Sequence, residues 1–189
     1  MVTVEETYLP ISLSAPGLTD AQFQEFCELY SDYSLEYTAE GDLIIMPPTD
    51  PDTSARNAEI TIQLGIWGKR RQRDGKVTDS SGGFKLPNGA RLSPDAAWIS
   101  RARLALRQCP EFVIELMSPG DRPGRARAKM GEWIANGVEL GWLIDPPERS
   151  VTIYRPGGRE PEVLVGATEV AGEGPVEGFT LDLLAVWNA

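Results

Sequence analysis

The spacing of apolar residues along the chain predicts helices and short strands that alternate through its middle part. Apolar positions recur at helical intervals in three segments, which predicts helices at about Asp20–Tyr30, Ala55–Arg71 and Arg125–Asn136. Runs of apolar, β-branched and aromatic residues between turn residues predict strands. These are Leu35–Tyr37, Leu43–Met46, Val77–Asp79, Phe84–Leu86, Arg91–Ile99, Glu111–Met117, Leu140–Ile144, Val151–Tyr154 and, more weakly, Pro161–Val165. Leu181–Trp187 is predicted as a short apolar helix. This order predicts an α/β (α+β) fold, in which helices flank a central mixed sheet.

The second predicted helix carries two apolar stripes. Their members are Ala58, Ile62 and Ile66 on one stripe and Ile60, Leu64 and Trp67 on the other. A helix that is apolar over so much of its circumference is predicted to be largely buried. Thr53 or Ser54 is the expected N-cap, and Glu59 lies between the stripes.

Three acidic residues interrupt the apolar pattern. Glu115 has only apolar neighbours within residues 112–117, Asp95 precedes four small or apolar residues, and Glu59 lies between two apolar stripes. An isolated buried carboxylate is costly unless it gains a partner, and a divalent cation is a natural one. Each acid taken alone also has a structural explanation, such as an ion pair with arginine. The hypothesis of a metal site therefore depends on the combination.

Composition restricts the possible chemistry. The 189 residues include no histidine, which excludes Ser-His-Asp catalysis and imidazole zinc sites. The net charge of −10 argues against coating nucleic acid by bulk electrostatics. Twelve of the eighteen Lys and Arg nevertheless fall in residues 69–76, 101–107 and 122–129. These segments either line a local basic groove or form solvated faces, and the second interpretation is favoured for residues 101–107.

The same composition bears on location. No apolar run approaches the roughly 20 residues that a membrane span needs, and the N-terminus lacks the pattern of a signal peptide. Two cysteines are too few for a disulfide framework. These features predict a cytoplasmic protein without membrane contact.

A set of short motifs occurs along the chain in a fixed order. Pro94-Asp95 is followed by Glu115 on the next predicted strand, which matches the signature of PD-(D/E)XK nucleases. The surrounding motifs are residues 83–89, 93–98, 109–119, 136–138 and 141–146. Together they resemble the Uma-type restriction endonuclease family of bacteria, and the resemblance covers roughly residues 20–155.

The resemblance implies a restriction endonuclease-like core and a metal-dependent activity. Residues 1–189 would form a single domain, with the core at about 53–155 and residues 19–46 as an N-terminal extension. The implied chemistry is Mg²⁺- or Mn²⁺-dependent hydrolysis of DNA phosphodiester bonds. Asp95 and Glu115 would hold the metal, and Glu59 would complete the cluster. A homodimer or higher homo-oligomer is expected because many nucleases of this fold pair to cut both strands.

One departure from the signature leaves the activity open. Met117 stands where the signature has a lysine, and Lys129 on the following helix is the candidate replacement. The alternative for Lys129 is an exposed helix lysine. The alternative for the protein is a catalytically degenerate nuclease fold that acts as a binding or assembly module. A structure in which Arg56 or Arg127 caps the acids would favour a structural role for them.

Overall fold

Three sheets and five α-helices make up most of the described part of the chain. The computed structural model describes residues 10–70 and 74–189. The helices are α1 (Asp20–Leu29), α2 (Pro51–Arg70), α3 (Arg101–Ala105), α4 (Pro123–Ala135) and α5 (Leu183–Asn188). The strands are β1 (Ile11–Ser14), β2 (Ser34–Tyr37), β3 (Asp42–Met46), β4 (Gly75–Asp79), β5 (Phe84–Lys85), β6 (Arg91–Leu92), β7 (Ala96–Ser100), β8 (Phe112–Leu116), β9 (Leu140–Asp145), β10 (Ser150–Tyr154), β11 (Glu162–Val165), β12 (Glu169–Ala171) and β13 (Thr180–Asp182). A small third sheet pairs β12 with β13.

The main sheet has six strands in the order β11-β10-β9-β8-β7-β4. The pair β8–β9 is parallel and the other pairs are antiparallel. A parallel pair needs a crossover connection, and α4 provides it between β8 and β9. The sheet is therefore mixed, as predicted.

Helices cover both faces of this sheet. One buried cluster joins α2 to alternate residues of β8: Ile60, Leu64 and Trp67 with Phe112, Ile114 and Leu116. The other joins Met130 and Trp133 of α4 to Val113 of β8 and to Met117, which follows that strand. Successive residues of a strand point to opposite faces, so a strand covered on both sides is apolar throughout. This arrangement confirms the predicted central sheet with flanking helices.

The second sheet has the order β1-β3-β2-β6-β5, and it joins the N-terminal hairpin to the middle of the chain. Tyr37 of β2 pairs with Arg91 of β6. The predicted continuous strand Arg91–Ile99 is wrong, because β6 belongs to this sheet and β7 to the main one. Pro94 lies between them and has no N–H to donate to a ladder. Asp95 follows it, at the point where the chain passes between sheets. The division into a core and an N-terminal extension stays a prediction.

Helix α2 begins earlier than predicted and is buried on one stripe only. Asp50 accepts the backbone N–H of Thr53 at 3.0 Å, so Asp50 is the cap rather than Thr53 or Ser54. The predicted last residue, Arg71, lies outside the described residues. Ile62 and Ile66 are 54% and 44% exposed, so the prediction of a largely buried helix is wrong for their stripe.

The C-terminal segment completes the core on the α2 side. Phe179, Leu181, Leu183 and Val186 are fully or almost fully buried in the same cluster as α2. The predicted helix at residues 181–187 divides into the end of β13 and α5, and the weak strand prediction corresponds to β11. Within residues 10–70 and 74–189, no helix has the length and hydropathy needed to cross a bilayer.

Candidate metal and catalytic site

Asp95 immediately precedes β7 and lies across from Glu115 on the neighbouring strand β8. Ala96 pairs with Ile114, so the antiparallel register, continued by one residue, places Asp95 opposite Glu115. Directly opposed residues have β-carbons about 4.5–5.5 Å apart. Glu115 shares its strand face with Met117, which belongs to the cluster covered by α4. Both acids therefore belong to the α4 side of the sheet.

Each carboxylate oxygen of Asp95 accepts one hydrogen bond. Asn57 Nδ2 donates to Oδ1 at 2.9 Å, and the backbone N–H of Leu116 donates to Oδ2 at 2.7 Å. Burial raises the pKa of Asp95 above its ordinary value, and the charge of Lys129 opposes this rise. A carboxylate has about four acceptor sites, so both oxygens retain capacity for a further ligand.

Helix α4 holds both oxygens of Glu115. Lys129 Nζ donates to Oε2 at 2.9 Å and Trp133 Nε1 donates to Oε1 at 2.7 Å. Residues four apart lie on one face of a helix, which is why one turn supplies both donors. Burial raises the pKa of Glu115 to about 8, Lys129 opposes the rise, and the carboxylates of Asp95 and Glu36 add to it.

The ammonium of Lys129 uses its three donors inside the site. Nζ lies 2.7 Å from Glu36 Oε1 and 2.9 Å from both Glu115 Oε2 and the Ser93 carbonyl oxygen. Its side chain is only 20% exposed, so it is not the exposed helix lysine of the alternative interpretation. Burial disfavours the charged form, but Glu115, Glu36 and Asp95 outweigh it and hold the pKa of Lys129 above its ordinary value.

Glu36 is a site residue that the sequence interpretation missed. It lies on β2, is 3% exposed, and also accepts the backbone N–H of Ser93 at 2.9 Å. Leu35 and Tyr37 on either side of it are also buried. The signal was present, because an acid between two strand residues of high hydrophobicity is the pattern that identified Glu115.

Glu59 is not brought to this cluster. Its Oε1 accepts a hydrogen bond from Gln63 at 2.9 Å, and Gln63 in turn bonds the backbone of Asp182 beside α5. Asn57 and Glu59 are two residues apart, which separates their side chains by about 200° around the helix. Because Asn57 faces Asp95, Glu59 points away from it.

Neither arginine of the structural alternative caps the acids. The hydrogen-bond and ion-pair partners of Asp95 and Glu115 among the described residues are Asn57, Leu116, Lys129 and Trp133, as given above. Arg56 and Arg127 are absent from that set. The arginine capping that would have favoured a purely structural role for the two acids is therefore not observed among the described residues.

The predicted basic segments differ in their relation to the site. Arg101 pairs with Asp74, and Arg103 pairs with Glu111 and Glu139. Helix α3 begins after the last residue of β7, whereas Asp95 precedes the first, so α3 begins about 20 Å along the strand from Asp95. Two of its three arginines, Arg101 and Arg103, are used in ion pairs with neighbouring acids. Residues 71–73 of the first basic segment lie outside the described residues.

The third basic segment, residues 122–129, ends at Lys129 in the site. Arg125 and Lys129 are four residues apart on α4 and therefore share a helix face, and Arg122 is the N-cap of the same helix. No ion pair neutralises Arg122 or Arg125 within residues 10–70 and 74–189, so their charge is available at the N-terminal end of α4.

The donor set fits a hard divalent cation. Glu36, Asp95 and Glu115 with Lys129 leave two negative charges in excess when all are ionised, which one Mg²⁺ or Mn²⁺ would balance. In the described ranges no three acids are grouped closely enough to hold an ion by themselves. Asp95 and Glu115 would therefore share it with waters or substrate oxygens, which is the coordination that Mg²⁺ commonly adopts.

Trp133 gives a direct test of how α4 positions Glu115. We expect Trp133→Phe to lower the free energy of unfolding by about 1–3 kcal/mol more than its matched control, because Glu115 Oε1 loses its buried donor. The control is Trp142→Phe, since Trp142 is equally buried and its Nε1 has no hydrogen-bond partner in the described structure. Urea denaturation measures both changes, and equal losses would contradict a specific role for the indole N–H.

A mixed sheet is flanked by α2 and α4, and Asp95, just before β7, lies opposite Glu115 of β8. These features define a protein of the restriction endonuclease-like fold. The Uma2 family, described as "Putative restriction endonuclease", matches residues 20–184. The chain belongs to this family, which confirms the resemblance seen in the sequence. Membership of this family indicates a nuclease-type function.

Solved structures confirm the fold. A crystal structure described as "a putative nuclease belonging to DUF820", from Anabaena variabilis, aligns with a TM-score of 0.71 and 22% identity, over 82% of this chain and 90% of that chain. A cryoEM structure of a "DrdV-DNA complex" aligns with a TM-score of 0.38 and 15% identity, over 57% of this chain and 9% of that chain, and supports no conclusion. No curated protein matches the chain.

Proposed function

We propose that the protein is a DNA endonuclease that depends on Mg²⁺ or Mn²⁺. The observation that carries this proposal is the convergence of Asp95, Glu115 and Lys129 on one side of the sheet. Membership of the Uma2 family supports a phosphodiester substrate. The cytoplasmic location and a homodimeric or larger assembly remain predictions.

Asp95 and Glu115 would hold the cation through oxygens that their protein donors leave accessible. When bound, a divalent cation supplies positive charge to the scissile phosphate and makes water more acidic. Trp133 and Lys129 fix both oxygens of Glu115, and the Leu116 N–H fixes one oxygen of Asp95. The carboxylates are thus oriented before substrate arrives, which is the condition for effective electrostatic catalysis.

Lys129 acts as a charge and hydrogen-bond donor rather than as a base. The surrounding carboxylates hold its pKa above the ordinary value, so it stays protonated at neutral pH. Its three donors are used by Glu36, Glu115 and Ser93, so Lys129 would stabilise a phosphate oxygen through its charge. This position on α4 supplies the cation that Met117, buried in the core, does not.

DNA would approach along the N-terminal end of α4. Arg122 and Arg125 precede Lys129 on that helix and have no acidic partner among the described residues. Phosphate contacts from arginine position a duplex without reading its sequence. This local basic surface reconciles DNA binding with the net charge of −10.

A second candidate function has its own observation. Lys129 already pairs with both Glu36 and Glu115 in an internal ion-pair network. Such a network is self-consistent without a metal, as expected of a catalytically degenerate protein that serves as a binding or assembly module. The two candidates differ in whether the site binds a divalent cation.

The deciding experiment is cleavage of supercoiled plasmid with Mg²⁺, Mn²⁺ or EDTA. We expect metal-dependent nicking by the wild type and a loss of about 100-fold or more in Asp95→Asn and Glu115→Gln, because each removes a charged metal ligand. Glu139→Gln is the matched control, since Glu139 pairs with Arg103 away from the cluster. Cleavage that survives in Asp95→Asn would contradict the assigned site. A wild type that neither cleaves nor binds Mn²⁺ in calorimetry would leave the second candidate.

A further inference from the structure

Asn57 is the residue of α2 that reaches the acids, and its amide is only half satisfied. Nδ2 donates to Asp95 Oδ1 at 2.9 Å across 38 residues of sequence. Oδ1 of the same amide is buried and has no hydrogen-bond partner in the described part of the chain. The two amide atoms are attached to one carbon, so the unpartnered oxygen lies beside the Asp95 carboxylate.

The orientation of this amide is determined by its neighbour. Exchanging the nitrogen and oxygen of Asn57 would place the amide oxygen against a carboxylate oxygen, and neither atom carries a proton to share when Asp95 is ionised. The amide nitrogen, and not the oxygen, therefore faces Asp95 Oδ1. A buried acceptor without a donor costs about 1–3 kcal/mol, so a cation or a donor beside Oδ1 would be stabilising.

Amide oxygens are ordinary ligands of hard divalent cations. A neutral oxygen suits this site because it adds no negative charge to three acids that already surround one lysine. Asn57 also comes from α2, whose packing face lies across the sheet from Lys129, so the two residues approach the acids from different helices.

We infer that Asn57 is a metal-site residue that orients Asp95 through Nδ2 and offers Oδ1 to the divalent cation or to a water bound to it. The inference rests on the proposed function, since it requires that the site take a cation. It assigns to Asn57 the place at the site that the family resemblance gave to Glu59.

The test measures Mn²⁺ affinity by electron paramagnetic resonance and calorimetry on the full chain without DNA. Asn57→Ala is expected to weaken Mn²⁺ binding about 10–100-fold. Asn57→Asp keeps an oxygen and is expected to regain most of that affinity, although it loses the donor to Asp95. Gln63→Ala is the matched control, because Gln63 is an amide on the same helix that bonds Glu59 and Asp182 instead. It should bind Mn²⁺ as the wild type does.

The outcomes separate this inference from the proposed function. Equal Mn²⁺ affinity in the wild type and Asn57→Ala would overturn the inference and leave the Asp95–Glu115 site intact. Weak binding in Asn57→Ala without recovery in Asn57→Asp would reduce Asn57 to a structural donor for Asp95 and overturn its role as a ligand. No Mn²⁺ binding by the wild type would refute the proposed function, and the inference with it. Circular dichroism of each variant verifies that the fold is retained.

Discussion

Replacement of Lys129 by methionine is expected to abolish cleavage and to destabilise the protein strongly at neutral pH. The ammonium contacts Glu36, Glu115 and the Ser93 carbonyl oxygen. Methionine preserves the apolar stem but leaves two buried carboxylates without their cation. Removing one partner of a buried ionic network costs about 3–5 kcal/mol, since the remaining charge is uncompensated. Urea denaturation at neutral pH measures the loss.

The control for this change is Lys85→Met. Lys85 pairs with Asp20 at the surface, where both side chains are more than half exposed, and such pairs contribute about 0–1 kcal/mol. The variant of Lys129 should also recover stability as the pH falls, because protonation of the neighbouring carboxylates removes the unpaired charge. Similar losses in the two variants, or a deficit of Lys129→Met that does not change with pH, would show that Lys129 is not the cation of this cluster.

The sequence predicted the part of the fold that depends on local pattern. The strand around Glu115 and the helix that carries Lys129 follow from an apolar run and from helical spacing, and both are present as β8 and α4. The division of residues 91–99 between two sheets was not predicted. That division depends on the pairing of Tyr37 with Arg91, a contact between residues far apart in the chain, and no local pattern specifies it.

The sequence predicted the two acids that adjacent strands bring together. It did not predict the site residues whose positions depend on how a helix or a second sheet packs. Asp95 and Glu115 are opposed because β7 and β8 are adjacent in both sequence and sheet. Glu59 and Asn57 differ by two positions on one helix, and only the packing of α2 determines which of them faces Asp95. Glu36 enters from the second sheet, so its proximity to Lys129 required the arrangement of two sheets.

The stability of the metal-free protein is expected to fall as the pH rises from about 4.5 to about 8. Burial raises the pKa of Glu115 from its ordinary value of 4.5 to about 8. Between these pH values Glu115 keeps its proton in the folded state, whereas it has released that proton in the unfolded state. Stability falls with pH wherever the unfolded state binds fewer protons, so Glu115 destabilises the fold progressively across this window.

Other residues with shifted pKa values do not cancel this fall in stability between about pH 4.5 and 8. The pKa values of Asp20, Asp50 and Asp79 are lowered from 3.8, chiefly by hydrogen bonds, so their stabilising effect is lost only at pH values below the window. Burial lowers the pKa of Lys129, but the neighbouring carboxylates outweigh burial and raise the pKa above 10.5. The contribution of Lys129 to stability is therefore constant up to the alkaline range. Asp95 is shifted upward by burial, and therefore adds to the slope in the same direction as Glu115.

Urea denaturation across the pH series, with and without Mn²⁺, measures this dependence. Glu115→Gln should flatten most of the slope, because the amide cannot ionise. Mn²⁺ binds the folded site and should stabilise the wild type increasingly toward pH 8, where the cation no longer competes with a proton for Glu115. An unchanged slope in Glu115→Gln would show that other groups cause it. A slope that flattens in the variant while Mn²⁺ stabilises neither protein would mean that Glu115 is a buried acid without a cation to hold, as the second candidate function requires.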